Sequence, residues 1–162
     1  MRRRDLVLAA AGAALARPAA AAAALEGDAA ILDRLIAREQ AAAFAHRMAS
    51  TVVVEAARFG AHEHAHARAL RTHLAALGRE GPEPPLSAAG LDRAARALAE
   101  AAGRAAILDA GIALEASLVA AYGAALRELA EPSIAQTAAS ILAGHAQHRT
   151  VLRVAAGRDR VA

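Results

Sequence analysis

Large apolar residues recur at three- and four-residue steps in four segments of this chain, and an ionisable group interrupts each stripe near its middle. The first stripe reads Leu32, Leu35, Glu39, Ala42, His46, and the second Ala56, Phe59, Glu63, His66, Leu70, Leu74, Leu77. The third reads Leu108, Gly111, Glu115, Leu118, Tyr122, Leu129, and the fourth Ile134, Ala138, Ile141, His145, His148, Leu152. That period belongs to one face of an α-helix. Strands have little to build on, because Val52-Val53-Val54 is the only β-branched run. Alanine, leucine, arginine and glutamate dominate instead, and all four favour helix. The expected fold class is all-α.

Breakers divide the helices and set their connections. Asp28 suits the N-cap of a first helix running to about Met48. Ser50-Thr51 marks a tight turn, and the second helix runs on to about Leu77, where Gly78 stops it. Residues 79–87, "REGPEPPLS", hold too many prolines to continue a helix. A short helical piece is predicted over 88–102, then a break at Gly103 and a third long helix over 104–129. Pro132 ends that helix, and Ser133-Ile134-Ala135-Gln136 matches a capping box opening the fourth, which reaches about Ala155. Tight turns near residues 50 and 132 imply two antiparallel helical hairpins. The stretch between them is long enough to cross the length of a bundle, so a four-helix bundle with one long crossover is expected.

The first 24 residues read differently from the rest. An arginine cluster, an apolar run from Leu6 to Ala16, and small residues after Arg17-Pro18 form the pattern of a secretory signal. The run is too short to span a bilayer. Arg3-Arg4-Asp5-Leu6-Val7 resembles a twin-arginine export signal. The expectation is a signal peptide over 1–24, one domain over 25–162, and export to the periplasm or beyond with no stable membrane anchor after cleavage. The signal holds four of the 19 basic residues, all of them arginine, and one of the 16 acidic ones, so the remainder is electrically balanced. No basic face remains to suggest a nucleic-acid partner. The absence of cysteine removes disulfides, thiolate metal sites and haem attachment through C-x-x-C-H.

Measured from the turns, the stripe-breaking residues share a level. Glu39 and Glu63 lie 11 and 13 residues either side of Ser50, while Glu115 lies 17 before Pro132 and His145 and His148 lie 13 and 16 after it. At about 1.5 Å rise per residue, the members of each hairpin fall within roughly 6 Å of one another. Isolated buried carboxylates are costly or take up protons. Three carboxylates and three imidazoles together make a cation site, with a metal-free hydrogen-bonded layer as the alternative. The expected ligands are Glu39, Glu63, His66, Glu115, His145 and His148. His46 and Tyr122, further along the same stripes, are expected to support them or to belong to the core. His62, His64 and His73 lie off the stripes and read as solvated, with His62-x-x-x-His66 as an alternative weak surface chelate. No residue stands out as a separate nucleophile or acid/base.

The phrases "REQAAAF", "HEHAHARAL", "LEASLVAAYGAAL" and "HAQHRTVLR" resemble the ferritin-like superfamily, closest to exported bacterial ferritin-like domain proteins. Its di-iron or di-manganese members carry one Glu on the first and third helices and Glu-x-x-His on the second and fourth. Glu39, the Glu63–His66 pair and Glu115 match. On the fourth helix, His145 stands where the family has a Glu that commonly bridges two metals, while His148 is kept. The resemblance implies iron or manganese as cofactor and oxidation by oxygen or peroxide. The nitrogen-richer set shifts preference toward zinc, copper or nickel. Losing one carboxylate leaves a pair of divalent ions with one uncompensated charge, so one ion is expected to bind more tightly than two.

Overall fold

The computed structural model describes residues 3–158, with side chains from residue 22 onward. Five α-helices appear and no strand occurs among the described residues. Helix α1 (Arg3–Ala49) meets α2 (Val54–Ala76) through a tight turn. The short α3 (Arg93–Ala99) lies within the following connection, and a second tight turn joins α4 (Arg104–Ala125) to α5 (Pro132–Ala155). Most of the segment expected as an export signal, residues 1–24, lies outside the described side chains.

Several helix ends follow from local chemistry. Gly78 has φ +73, and the N–H groups of Gly78 and Arg79 donate to the carbonyls of Ala75 and Leu74. That is a Schellman closure, which needs a residue free to enter the left-handed region. Gly157 closes α5 in the same way, its N–H and that of Arg158 reaching Val154 and Arg153. Asp92 caps α3 by accepting from the Ala95 N–H at 2.9 Å.

Three expectations about boundaries are corrected. Asp28 is not an N-cap, because α1 begins far upstream. Its buried carboxylate accepts instead from the backbone N–H groups of Ala130 (2.9 Å) and Glu131 (2.8 Å), tying α1 to the α4–α5 turn. Ser133 does not open α5 either. Glu131 is the cap, with Pro132 in the first turn, where its missing N–H costs nothing. The piece expected over 88–102 divides into a 3₁₀ turn (Ala88–Gly90) and α3, because Leu91 is extended.

The buried apolar residues form two clusters rather than one. Ala29 to Ile36 of α1 pack with Leu70 and Leu74 of α2, Tyr122 and Ala125 of α4, and Ile134 to Ile141 of α5. Ala41 to Ala49 of α1 pack with Val53 to Phe59, with Ile107 to Leu118 of α4, with Leu152, and with α3 through Ala95 and Leu98. By length and composition α4 passes for a membrane-crossing helix. Its apolar residues are nevertheless divided between both clusters, and Glu115 is buried among them. Between the clusters lies a polar layer.

Candidate metal centre

Each of the four long helices reaches this layer with the residues that broke its apolar stripe. Glu39, Glu63, Glu115 and His145 are fully buried, His148 is 5% exposed, and the His66 side chain is 19% exposed. The structure brings all six expected ligands together, with His66 on the side nearest solvent.

The groups are joined atom by atom. His145 sits at the centre, its Nδ1 2.9 Å from Glu115 Oε2 and its Nε2 3.0 Å from Glu39 Oε1. His66 Nδ1 donates to Glu63 Oε2 at 2.8 Å and lies 3.3 Å from Glu39 Oε2. His148 Nδ1 donates to Glu63 Oε1 at 3.2 Å and lies 3.6 Å from Glu115 Oε1. Glu63 therefore turns one oxygen toward each of the two flanking histidines.

Outside this ring stand three positioning residues. The Tyr122 hydroxyl donates to Glu39 Oε1 at 2.6 Å, and His46 Nε2 donates to Glu115 Oε1 at 3.0 Å. They were expected to support the site or to belong to the core, and each bonds one outer carboxylate. His62, expected to be solvated or to chelate weakly with His66, is exposed and has its Nδ1 2.9 Å from His148 Nε2, with the two rings stacked. Its sequence signal was faint: it lies one turn from Phe59, which stacks on the same His148 ring at 4.4 Å. His73 also lies off the stripe, yet its Nε2 pairs with Thr137 Oγ1 at 2.9 Å across α2 and α5. His64 is exposed as expected. Gly144 of α5 faces His66, where an added Cβ would stand 3.5 Å from the ring.

Electrostatics sharpen the picture. Burial alone would lower the pKa values of His66, His145 and His148, but hydrogen bonds to the glutamates and their charges outweigh it. They raise His66 and His148 to about 9 and His145 to about 10. Burial pushes Glu115 upward, and hydrogen bonds from His145, His148 and His46 overcome that to bring it to about 2. Glu63 is likewise drawn well below the usual carboxylate range, despite its burial, by His148, His66 and the charge of His145. Burial and then the Glu39 charge push the Tyr122 phenol far up, so it stays a donor. His62 is lowered, first by burial and then by the His148 charge, which suits it to accept from His148 Nε2–H.

Three carboxyl groups thus face three imidazoles across the metal-free layer. The same groups fit a cation. Glu39, Glu63, His66 and His145 form one set of four donors, and Glu63, Glu115, His145 and His148 another. Within each set the donor atoms lie within 4.8 Å of one another. Each set offers two oxygens and two nitrogens, a mix that zinc, iron and copper all accept.

The family model for the ferritin-like domain matches residues 10–158. No curated protein and no solved structure matches the chain. The matched span covers α1 from residue 10 onward, all of α2, α4 and α5, and every residue of the buried layer, and the chain belongs to the ferritin-like domain family.

Proposed function

We propose that this chain is an exported ferritin-like metal-binding protein whose ligands are Glu39, Glu63, His66, Glu115, His145 and His148. One observation carries the reading: four helices converge six groups on one interior layer as two overlapping four-donor sets. A bound iron or manganese ion would supply redox exchange with oxygen or peroxide, and zinc or copper suits the nitrogen content of each set. The chain's own residues fix the geometry. Tyr122 and His46 hold the outer carboxylates, and His62 holds His148, as outer partners of metal ligands commonly do.

The architecture proposed with this function is a bundle of two antiparallel hairpins joined by a crossover. Its support lies in the core. The N-terminal part of α1 shares a cluster with the C-terminal part of α2, the end of α4 and the start of α5. That pattern supports α2 running parallel to α4, as a single long crossover requires.

Export rests on the N-terminal arginine cluster. Replacing Arg3 and Arg4 with Lys should strand the precursor in the cytoplasm, and unimpaired secretion of that variant argues against the twin-arginine route. A second reading has an observation of its own: each of the six groups already has a partner within the layer. A non-catalytic bundle with a degenerate site, serving binding or stress protection in the envelope, needs no ion.

Metal analysis of protein purified from its native compartment, followed by anaerobic ferrous titration, separates the two. At least one tightly held ion per chain is expected. Protein that arrives without metal and binds neither iron nor zinc on titration refutes the metal-binding reading.

A further inference from the structure

The replaced glutamate at position 145 looks like a lost bridge. The orientation of the His145 ring says otherwise. Its Nε2 faces Glu39 Oε1 at 3.0 Å and its Nδ1 faces Glu115 Oε2 at 2.9 Å, from the two opposite edges of one fully buried ring. Those carboxylates belong to different four-donor sets, and the two sets share only Glu63 and His145. The ring is boxed in by its neighbours, with the His66 and His148 rings edge-on at 5.2 and 6.0 Å and Tyr122 tilted at 5.4 Å. It therefore has a defined side toward each set.

We propose that His145 bridges two divalent ions through its ring, Nε2 serving the ion held by Glu39 and His66 and Nδ1 the ion held by Glu115 and His148. This rests on the metal-binding reading above and adds how the two ions are arranged. Glu63 serves both sides in parallel, with Oε2 toward His66 and Oε1 toward His148. Each ion then has two oxygens and two nitrogens, the four ligands of a tetrahedral site.

A ring bound at both nitrogens keeps no N–H. Its protons pass to water as the ions bind, as metal coordination commonly forces. It then carries one negative charge. Three carboxylates and one imidazolate balance two divalent ions, which removes the uncompensated charge expected from the loss of a fourth carboxylate. The bridge also fixes the spacing. Two metal–nitrogen bonds of about 2 Å each, plus the width of the ring, hold the ions about 6 Å apart. Ions in ordinary two-metal sites stand closer, at roughly 3.5–4 Å.

The test uses the full-length protein, stripped of metal and reloaded with two equivalents of cupric ion in one sample and zinc in another. Bridged copper should show antiferromagnetic coupling in temperature-dependent electron paramagnetic resonance, and X-ray absorption on the zinc form should place the second ion near 6 Å. In His145→Glu, which replaces the ring by a carboxylate, the separation should contract to about 3.5–4 Å. A natural protein with two ions at the short spacing, or with two uncoupled coppers, overturns the bridge. Binding that stops at one ion overturns it too and leaves the metal-binding reading standing. Binding of no ion at all removes the metal-binding reading itself. The measurement on the natural protein decides the question whether or not the variant folds.

Discussion

Loading the metal-free protein with its first divalent ion should release two protons, and the apparent affinity should climb steeply with pH. An ion entering the Glu39 half takes one nitrogen from His66 and one from His145. Both rings are protonated at neutral pH, since their carboxylate partners hold them at about 9 and about 10. At pH 7 these lie two and three units too high, and each unit is worth about 1.4 kcal/mol. Removing both protons therefore costs on the order of 7 kcal/mol, roughly five powers of ten in affinity. The Glu115 half gives the same figure, because His148 also sits at about 9. The result does not depend on which half fills first.

Charge explains why two protons is the natural count. Exchanging two protons for one divalent ion leaves the charge of the layer unchanged. Exchanging only one would leave an unbalanced positive charge in a buried layer, which is expensive. The sign is fixed as well: ion and proton compete for the same nitrogens, so affinity rises with pH. Between pH 6.5 and 8 it should gain about 100-fold per unit, two powers of ten for two protons. Competition of zinc against a chromophoric chelator measures this, once the chelator's own pH dependence is subtracted. A weakly buffered titration with an indicator dye counts the protons directly. A gain of tenfold per unit or less, with one proton or none released, would refute the reasoning.

Without metal, folding stability should peak between about pH 4.5 and 6.5, the ordinary values from which the layer's groups are displaced. The raised pKa values of His66, His145 and His148 contribute stability that is whole below 6.5 and is lost as pH rises through 9 to 10. The depressed Glu115 contributes stability that is whole above 4.5 and is lost as pH falls toward about 2. Urea midpoints across pH check both limbs, and a metal-free protein most stable near pH 9 contradicts them. Tyr122→Phe removes a 2.6 Å hydrogen bond to the buried Glu39 and should cost about 1–3 kcal/mol in urea unfolding of the metal-free protein; no measurable loss would show that bond to be idle. Asp28→Ala leaves the Ala130 and Glu131 N–H groups without their acceptor and should cost about 1–3 kcal/mol, with Asp28→Asn recovering part of it. His62→Ala frees the outer nitrogen of His148 and should weaken zinc binding by about 10–100-fold while leaving the urea midpoint of the metal-free protein nearly unchanged; unaltered zinc affinity would deny His62 any part in positioning His148.

How far the sequence could be read is instructive at particular residues. Helical period fixes the face on which a residue lies, so Glu39, Glu63, His66, Glu115, His145 and His148 could all be placed in one layer, where they meet. Distance from a turn fixes height, and that too was legible. Helix starts were harder. Asp28 and Ser133 both have good capping chemistry, but a cap is only a local preference. Asp28 found stronger use bonding a turn 102 residues away, and Pro132 moved the start of α5 ahead of Ser133. The Asp28 contact leaves no trace in local spacing, whereas the preference of proline for a helix's first turn is a local signal that outweighed the Ser133 pattern.

Rotamers are further out of reach, and that matters most at position 145. In sequence, histidine for glutamate there subtracts a charge and a bridging group. In space the side chain still offers two donor atoms, one to each side, as a carboxylate would. Which atom faces which partner is decided by the packing of His66, His148 and Tyr122 around the ring, three residues from three different helices. Residue type therefore understates what the site retains. A carboxylate bridge and an imidazole bridge differ in reach and in the proton the ring must give up, so under the proposed bridge the substitution would tune ion spacing and pH response rather than disable the pair.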